Sequence, residues 1–248
     1  MLEWLGLPIA SSAHAGDIDR ILVLVHWLML VLFVGWSAFF LYVLVRFRRS
    51  AHPVARHHGL RGNWSTWVES GILAAEVVLL VFFAIPTWSA RVDALPPEKQ
   101  SVVVRVVAEQ FAWNAHYPGS DGRFGRTALA LVSPGNPLGL DRADPAARDD
   151  LTTINQLNLP VDRPVIVYLS SKDVVHSFGL PQMRIKQDAI PGLVQAVWFT
   201  PTRTGAWEVV CSQLCGLGPY RMRGFYTVQT SSDFYTWMAQ ETAALATP

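Results

Sequence analysis

Ile21-Leu-Val-Leu-Val-His-Trp-Leu-Met-Leu-Val-Leu-Phe-Val-Gly-Trp-Ser-Ala-Phe-Phe-Leu-Tyr-Val-Leu-Val45 is a run of 25 residues with no formal charge, bracketed by Arg20 and Arg46. At about 1.5 Å per residue, a helix of this length outreaches the roughly 30 Å hydrocarbon core and reads as a tilted membrane span. A second run, Ser70 to Trp88, holds 19 residues and a single charge, Glu76. Pro86 and Trp88 sit at its far end as helix terminator and interface aromatic. A helix pair buried in a soluble protein is the alternative reading of the same pattern.

Charge around the two runs sets the orientation. Between them stand Arg46, Arg48, Arg49, Arg56 and Arg61 with no acid, whereas the first 20 residues carry only Arg20 against Glu3, Asp17 and Asp19. Positive residues stay inside, so the loop is cytoplasmic and both termini lie outside. The expected layout is an exported N-terminal segment at 1–20, span 1 at 21–45, a cytoplasmic loop at 46–67 and span 2 at 68–88. An exported domain at 89–231 and a C-terminal tail at 232–248 follow. Ala13-His14-Ala15 has the look of a signal-peptidase site. The stretch before it has no Lys or Arg and only a short apolar run, so no cleavage is expected there.

The rest of the chain reads as all-β. Val102–Val107, Pro164–Leu169, Leu193–Thr200, Trp207–Val210 and Gly224–Gln229 are β-branched or alternating runs, separated by Pro, Gly, Asn and Asp clusters. Short strands with such punctuation predict a sandwich or barrel. Gly119 to Asp150 reads as a long irregular excursion, and Ser232 to Leu245 as a short helix capped by Ser232. From Ser89 onward there are 14 acids and 14 bases, and the whole chain has a net charge of +1. No strongly basic face is expected, so no nucleic acid is predicted as a partner. Two cysteines among 248 residues exclude a disulfide-dense scaffold and any multi-cysteine zinc or iron–sulfur framework.

Those cysteines stand in Cys211-Ser-Gln-Leu-Cys-Gly-Leu-Gly-Pro-Tyr-Arg-Met222. On the oxidising side of a membrane a disulfide is one reading, although a three-residue gap is awkward for it. The other is a pair of thiolates closing on a soft metal, with Met222 as a thioether ligand and an imidazole from elsewhere. His176, in Asp173-Val-Val-His-Ser-Phe-Gly-Leu-Pro181, is the candidate imidazole. Soft sulfur donors, one imidazole and a Gly-rich loop between short strands point to copper.

With these residues in place, the chain resembles subunit II of the haem–copper oxidases. The resemblance spans nearly the whole chain: the membrane hairpin, Val106–Trp113 with Tyr117-Pro-Gly119, Asp173–Pro181, Lys186–Gly192 and the cysteine loop. It implies a cupredoxin-like Greek-key β-sandwich or barrel behind a two-helix anchor in a bacterial inner membrane. The family's dinuclear copper centre, CuA, would fall on His176, Cys211, Cys215 and Met222, with the backbone carbonyl of Gln213. The second ligand histidine should stand four residues after the second cysteine, and that position is Pro219. Proline has no side-chain donor. One copper therefore keeps a full four-ligand set, while the other keeps two shared thiolates and a weak carbonyl, so a weakened or mononuclear site is expected.

The resemblance also implies partners and paths. The chain would receive electrons from a cytochrome c-type donor and pass them to haem in a separate catalytic subunit I, beside other oxidase subunits and membrane lipid. It is not itself the catalytic core. The family's usual Trp-x-Trp electron-input patch reads Phe111 and Trp113 here. Gln213 stands where a glutamate often helps hold magnesium, so no magnesium is expected. Glu69 resembles the family's glutamate at a proton-channel mouth, and Glu76, seven residues on, shares its face about 10 Å deeper. Two other classes fit parts of the pattern. A structural subunit of a quinol-type oxidase would lack redox copper, and a related nitric oxide reductase would use the same electron-transfer part. A free membrane-tethered copper carrier is a further alternative.

Overall fold

The computed structural model describes residues 6–54, 62–216 and 222–245; Pro219, Arg56 and Arg61 lie outside the described residues. The chain divides into two compact units, Asp17–Asp93 and the β domain of Glu3–Gly16 with Ala94–Pro248.

The first unit holds the apolar helices. Helix α1 (Ala15–Arg46) contains the uncharged run. Helix α2 (Trp64–Leu79) passes through a π-helical turn (Leu80–Ala84) into α3 (Ile85–Val92), and Pro86 sits in the first turn of α3. Proline lacks the N–H that the preceding turn would use, and the π-helical turn just before it accommodates that loss, so the helix runs on past Pro86 to Val92 instead of ending there. Both Ala15–Arg46 and Trp64–Val92 are long and apolar enough to cross a membrane, and their apolar side chains are exposed.

Among the described residues, the second unit contains ten strands in two five-stranded sheets. Strands β1 (Val102–Glu109), β2 (Ala112–Tyr117), β3 (Leu151–Ile154), β5 (Val165–Ser171) and β8 (Gln195–Phe199) form one sheet, ordered β3-β2-β1-β5-β8. Strands β4 (Gln156–Pro160), β6 (His176–Leu180), β7 (Ile185–Ala189), β9 (Gly205–Cys211) and β10 (Arg223–Gln229) form the other, ordered β4-β10-β9-β6-β7. β1 runs parallel to β5, and β10 parallel to β4; the remaining strand pairs are antiparallel.

Period-two patterning drives the packing. Val104, Val106 and Ala108 of β1 are buried, as are Val165, Val167 and Leu169 of β5, and they share one core with Leu159, Phe178, Leu180, Tyr226 and Val228 of the second sheet. Tyr117 joins the sheets: its hydroxyl donates to the Asn158 carbonyl (3.1 Å) and accepts from the Asn158 N–H (2.8 Å). Burial, opposed by the bond from the backbone, raises its pKa above the usual phenol value.

Three segments close the domain. The excursion is tied to β2 by His116 Nε2, 2.6 Å from the buried Asp150 carboxylate, which also accepts from Gly125 N–H (2.8 Å). Helix α4 (Ser231–Leu245) buries Phe234, and its Trp237 meets Tyr117 edge-on at 5.3 Å. Its cap is Thr230, not Ser232: the Thr230 hydroxyl accepts from Asp233 N–H (3.2 Å) and donates to the Asp233 carboxylate (2.7 Å). The N-terminal segment is the third. Ser11 N–H donates to Gln182 C=O, Ala13 N–H to Thr200 C=O, Thr202 N–H to Ser11 C=O, and Ser12 Oγ to Met183 C=O (2.8 Å). Residues 8–15 therefore belong to the β domain and lie on its side of the membrane.

Candidate metal centre

Strand register assembles the site. Antiparallel β6 and β9 pair Phe178 with Cys211, so His176 at the start of one strand lies beside the cysteine that ends the other. β10 pairs Arg223 with Val210, which brings Met222, just before β10, back to the same end of the sheet. Ser212 N–H donates to Ser177 C=O (3.1 Å), clamping the start of the cysteine loop to β6. Within the loop, Cys215 N–H donates to Gln213 C=O (3.0 Å), a tight turn that folds the second thiol inward.

The result is a compact donor cluster. Ligand atoms of His176, Cys211 and Cys215 all lie within 4.8 Å of one another, and His176 and Cys215 are buried. The sulfurs of Cys211 and Cys215 are 3.7 Å apart, and the Met222 sulfur is 3.9 Å from that of Cys215. Both cysteines are free thiols, so the disulfide alternative is not the one the structure adopts. Two thiolates about 2.3 Å from a tetrahedral ion stand roughly 3.8 Å apart, and the observed sulfur spacing fits that requirement.

The imidazole is oriented for the same purpose. His176 Nε2 is 2.8 Å from Asp173 Oδ1, while the buried Nδ1 has no hydrogen-bond partner. A buried ring nitrogen is costly to leave unpaired, and an ion beside the two thiols would satisfy it. Burial works against ionisation of Asp173, but hydrogen bonds from His176 and from the N–H groups of Gln110 and Val174 hold its carboxyl below the usual range. Burial, reinforced by the Cys211 thiol beside it, pushes the Cys215 thiol up to about 11. A metal binding through this thiol would displace its proton. Imidazole, two thiols and a thioether form a donor set that selects a soft metal.

The other predicted residues fall around this cluster. The Gln213 carbonyl oxygen is 3.6 Å from the Cys211 sulfur. Trp113 is buried, with its ring 6.2 Å from the His176 ring in edge-on contact, and Phe111 is 39% exposed at the surface of the β1–β2 turn. Pro219 lies outside the described residues. Glu69 and Glu76 are exposed on α2 in the other unit, with no side-chain hydrogen bond or ion pair among the described residues. Two supporting residues escaped the sequence reading, Asp173 and Gln110. The three-residue spacing from Asp173 to His176 was the available signal for the first.

Two facing sheets, a His–Cys–Cys cluster where strand ends converge and two apolar helices define a membrane-anchored cupredoxin-like protein with a partial metal-ligand set. Comparison with known proteins specifies the family. Residues 102–223 match the family described as "Cytochrome C oxidase subunit II, periplasmic domain". The chain is 33% identical over 239 residues to the alternative cytochrome c oxidase subunit 2 of Bradyrhizobium diazoefficiens, covering 96% of this chain and 84% of that protein. It is 28% identical over 211 residues to the heme-copper oxidase subunit 2 of Aeropyrum pernix, covering 80% and 79%. Among solved structures, the periplasmic domain of subunit II of cytochrome oxidase of Bradyrhizobium japonicum is 26% identical, with a TM-score of 0.45, over 61% of this chain and 99% of that one. The chain belongs to the cytochrome c oxidase subunit II family. It is an electron-transfer subunit of a respiratory oxidase, anchored in the membrane with its β domain facing the periplasm. Membership implies association with a catalytic subunit and a cytochrome c donor.

Proposed function

We propose that this chain serves its oxidase through a single copper held by His176, Cys211, Cys215 and Met222. The observation that carries the proposal is the unpartnered, buried Nδ1 of His176 in a cluster with two free thiols. Copper, when bound, supplies a one-electron couple whose potential follows its ligands and surroundings. The chain's own residues do the rest. Asp173 holds the imidazole by Nε2, the sheet pairing fixes Cys211 and Met222, and the β framework keeps the donors in place between redox states.

Phe111 and Trp113 form the proposed input patch, with the exposed ring facing a c-type donor and the buried one in contact with His176. Pro219 removes the histidine that a second copper needs, so dinuclear CuA is lost or weakened, and the Gln213 carbonyl is left as a minor ligand. Four side-chain donors brought together favour this role over a metal-free structural subunit of a quinol-type oxidase. The terminal acceptor is oxygen in this reading, with a nitric oxide reductase as the alternative partner. Glu69 and Glu76 are proposed as proton-path carboxylates toward the catalytic subunit, because acids in an apolar span are costly unless they face protein or water. We assign residues 89–231 as the copper domain, 21–45 and 68–88 as the membrane-embedded parts, 46–67 as the cytoplasmic loop, and 232–248 as the C-terminal tail.

Copper quantification and electron paramagnetic resonance on the full chain in detergent, beside Pro219→His, test this directly. The expected result is one copper per unmodified chain with hyperfine coupling to one nucleus, and delocalisation over two in the variant. A mixed-valence dinuclear signal from the unmodified chain would sink the ligand argument, and absence of copper would favour the structural role.

A further inference from the structure

Gln110, at the turn between β1 and β2, reaches both ligand-bearing segments. Its backbone N–H donates to Asp173 Oδ2 (2.7 Å), the carboxylate whose other oxygen holds His176 Nε2. Its side-chain Nε2 donates to the Cys215 carbonyl (2.6 Å), across 105 residues of sequence. We infer that Gln110 is a positioning residue that locks the histidine arm and the cysteine loop to one point, fixing the direction of the Cys215 thiol. The inference rests on the copper reading above.

Three observations support it. First, Cys215 uses its N–H on Gln213 C=O and its C=O on Gln110, so the peptides on both sides of its Cα are held. Fixing both peptides fixes the Cα–Cβ direction, and so the narrow set of positions open to Sγ. Second, Gly216 has φ +141°, and a Cβ built there would come within 2.7 Å of Gln110 Nε2. An alanine would push the amide off the carbonyl, so glycine keeps this approach open. Third, the loop beyond Cys215 contains Pro219 in place of a ligand histidine, so a metal cannot anchor that part of the loop through position 219. The amide bond supplies an anchor that does not depend on that histidine. The competing explanation is a surface glutamine beside the exposed Phe111, serving donor docking alone.

The experiment compares Gln110→Ala, the near-isosteric Gln110→Glu and Gly216→Ala in the full chain assembled with its oxidase. The carboxylate of Gln110→Glu keeps the shape and loses the N–H donor. Readouts are the copper hyperfine pattern, the midpoint potential, the rate of copper loss to a chelator and the KM for the c-type donor. Losing one net hydrogen bond corresponds to about a tenfold change in equilibrium, so copper loss should be about tenfold faster in all three variants. The hyperfine pattern should shift and the donor KM should stay unchanged. Adding Gln110→Ala to Gly216→Ala should cost nothing further, because both remove the same bond. An unmoved spectrum and loss rate, with a raised KM, would overturn the inference in favour of docking. If the unmodified chain takes up no copper, the copper reading fails, and alkylation of the Cys215 thiol decides the inference alone. About tenfold faster labelling in Gln110→Ala supports positioning, and equal rates reject it.

Discussion

At the residue scale the site depends on which atoms are already committed. His176 has given Nε2 to Asp173, so only Nδ1 faces the sulfurs, and the ring cannot turn without breaking the 2.8 Å contact. Outer partners of this kind set ring orientation and raise ligand basicity. Asp173→Ala should therefore lower copper affinity by about 10- to 100-fold while leaving all four donors in place. Competition titration with a chelator checks this, and equal affinity in both proteins would show that packing alone orients the ring. The donors themselves were legible from residue type: two cysteines, a methionine and a histidine in a recognisable order. Gln110 was not. A glutamine at a turn carries no signature until the turn is known to lie against the cysteine loop.

Among the elements, five of the ten strands of the described residues were legible in the sequence. β1, β5, β8, β9 and β10 announce themselves by β-branched alternation. β2 does not: in Ala112-Trp-Asn-Ala-His-Tyr117 nearly every residue is buried, including Asn114 and His116. The excursion covers His116, which meets the Asp150 carboxylate, and Asn114 Nδ2 donates to the Glu109 carboxylate of β1. The excursion in turn is held by carboxylates. Asp149 accepts from Ser120 N–H and Oγ (both 2.7 Å) and from Asp121 N–H (3.3 Å). Burial opposes ionisation, but these bonds hold its carboxyl below the usual range. A depressed folded pKa gives stabilisation that is complete above the unfolded carboxylate value, about 4, and is lost as pH falls through the folded value. Hydrogen exchange over 119–150 should accelerate as pH drops below about 4, after correction for intrinsic rates, before the sheets open. Simultaneous loss of protection in β1 and β5 would contradict a local effect.

On the scale of the whole molecule, two membrane spans and a β domain could be read from charge and hydropathy alone. The attachment of the N-terminal segment could not, because Pro8–Ala15 carries no strand pattern and its partners lie more than 150 residues away. Ser12→Ala removes the buried bond to Met183 C=O and should cost about 1 kcal/mol, lowering the thermal midpoint of the β domain by about 2–4 °C. An unchanged midpoint would reduce the segment to a passive cover. This attachment also imposes an order of events in time. The segment precedes in synthesis the residues it binds, Gln182, Met183 and Thr200–Thr202, with a sequence separation of 171 between Ser12 and Met183. Until those late residues have crossed the membrane, its docking place does not exist. The segment therefore docks late, and these hydrogen bonds form only after residue 202 has been exported.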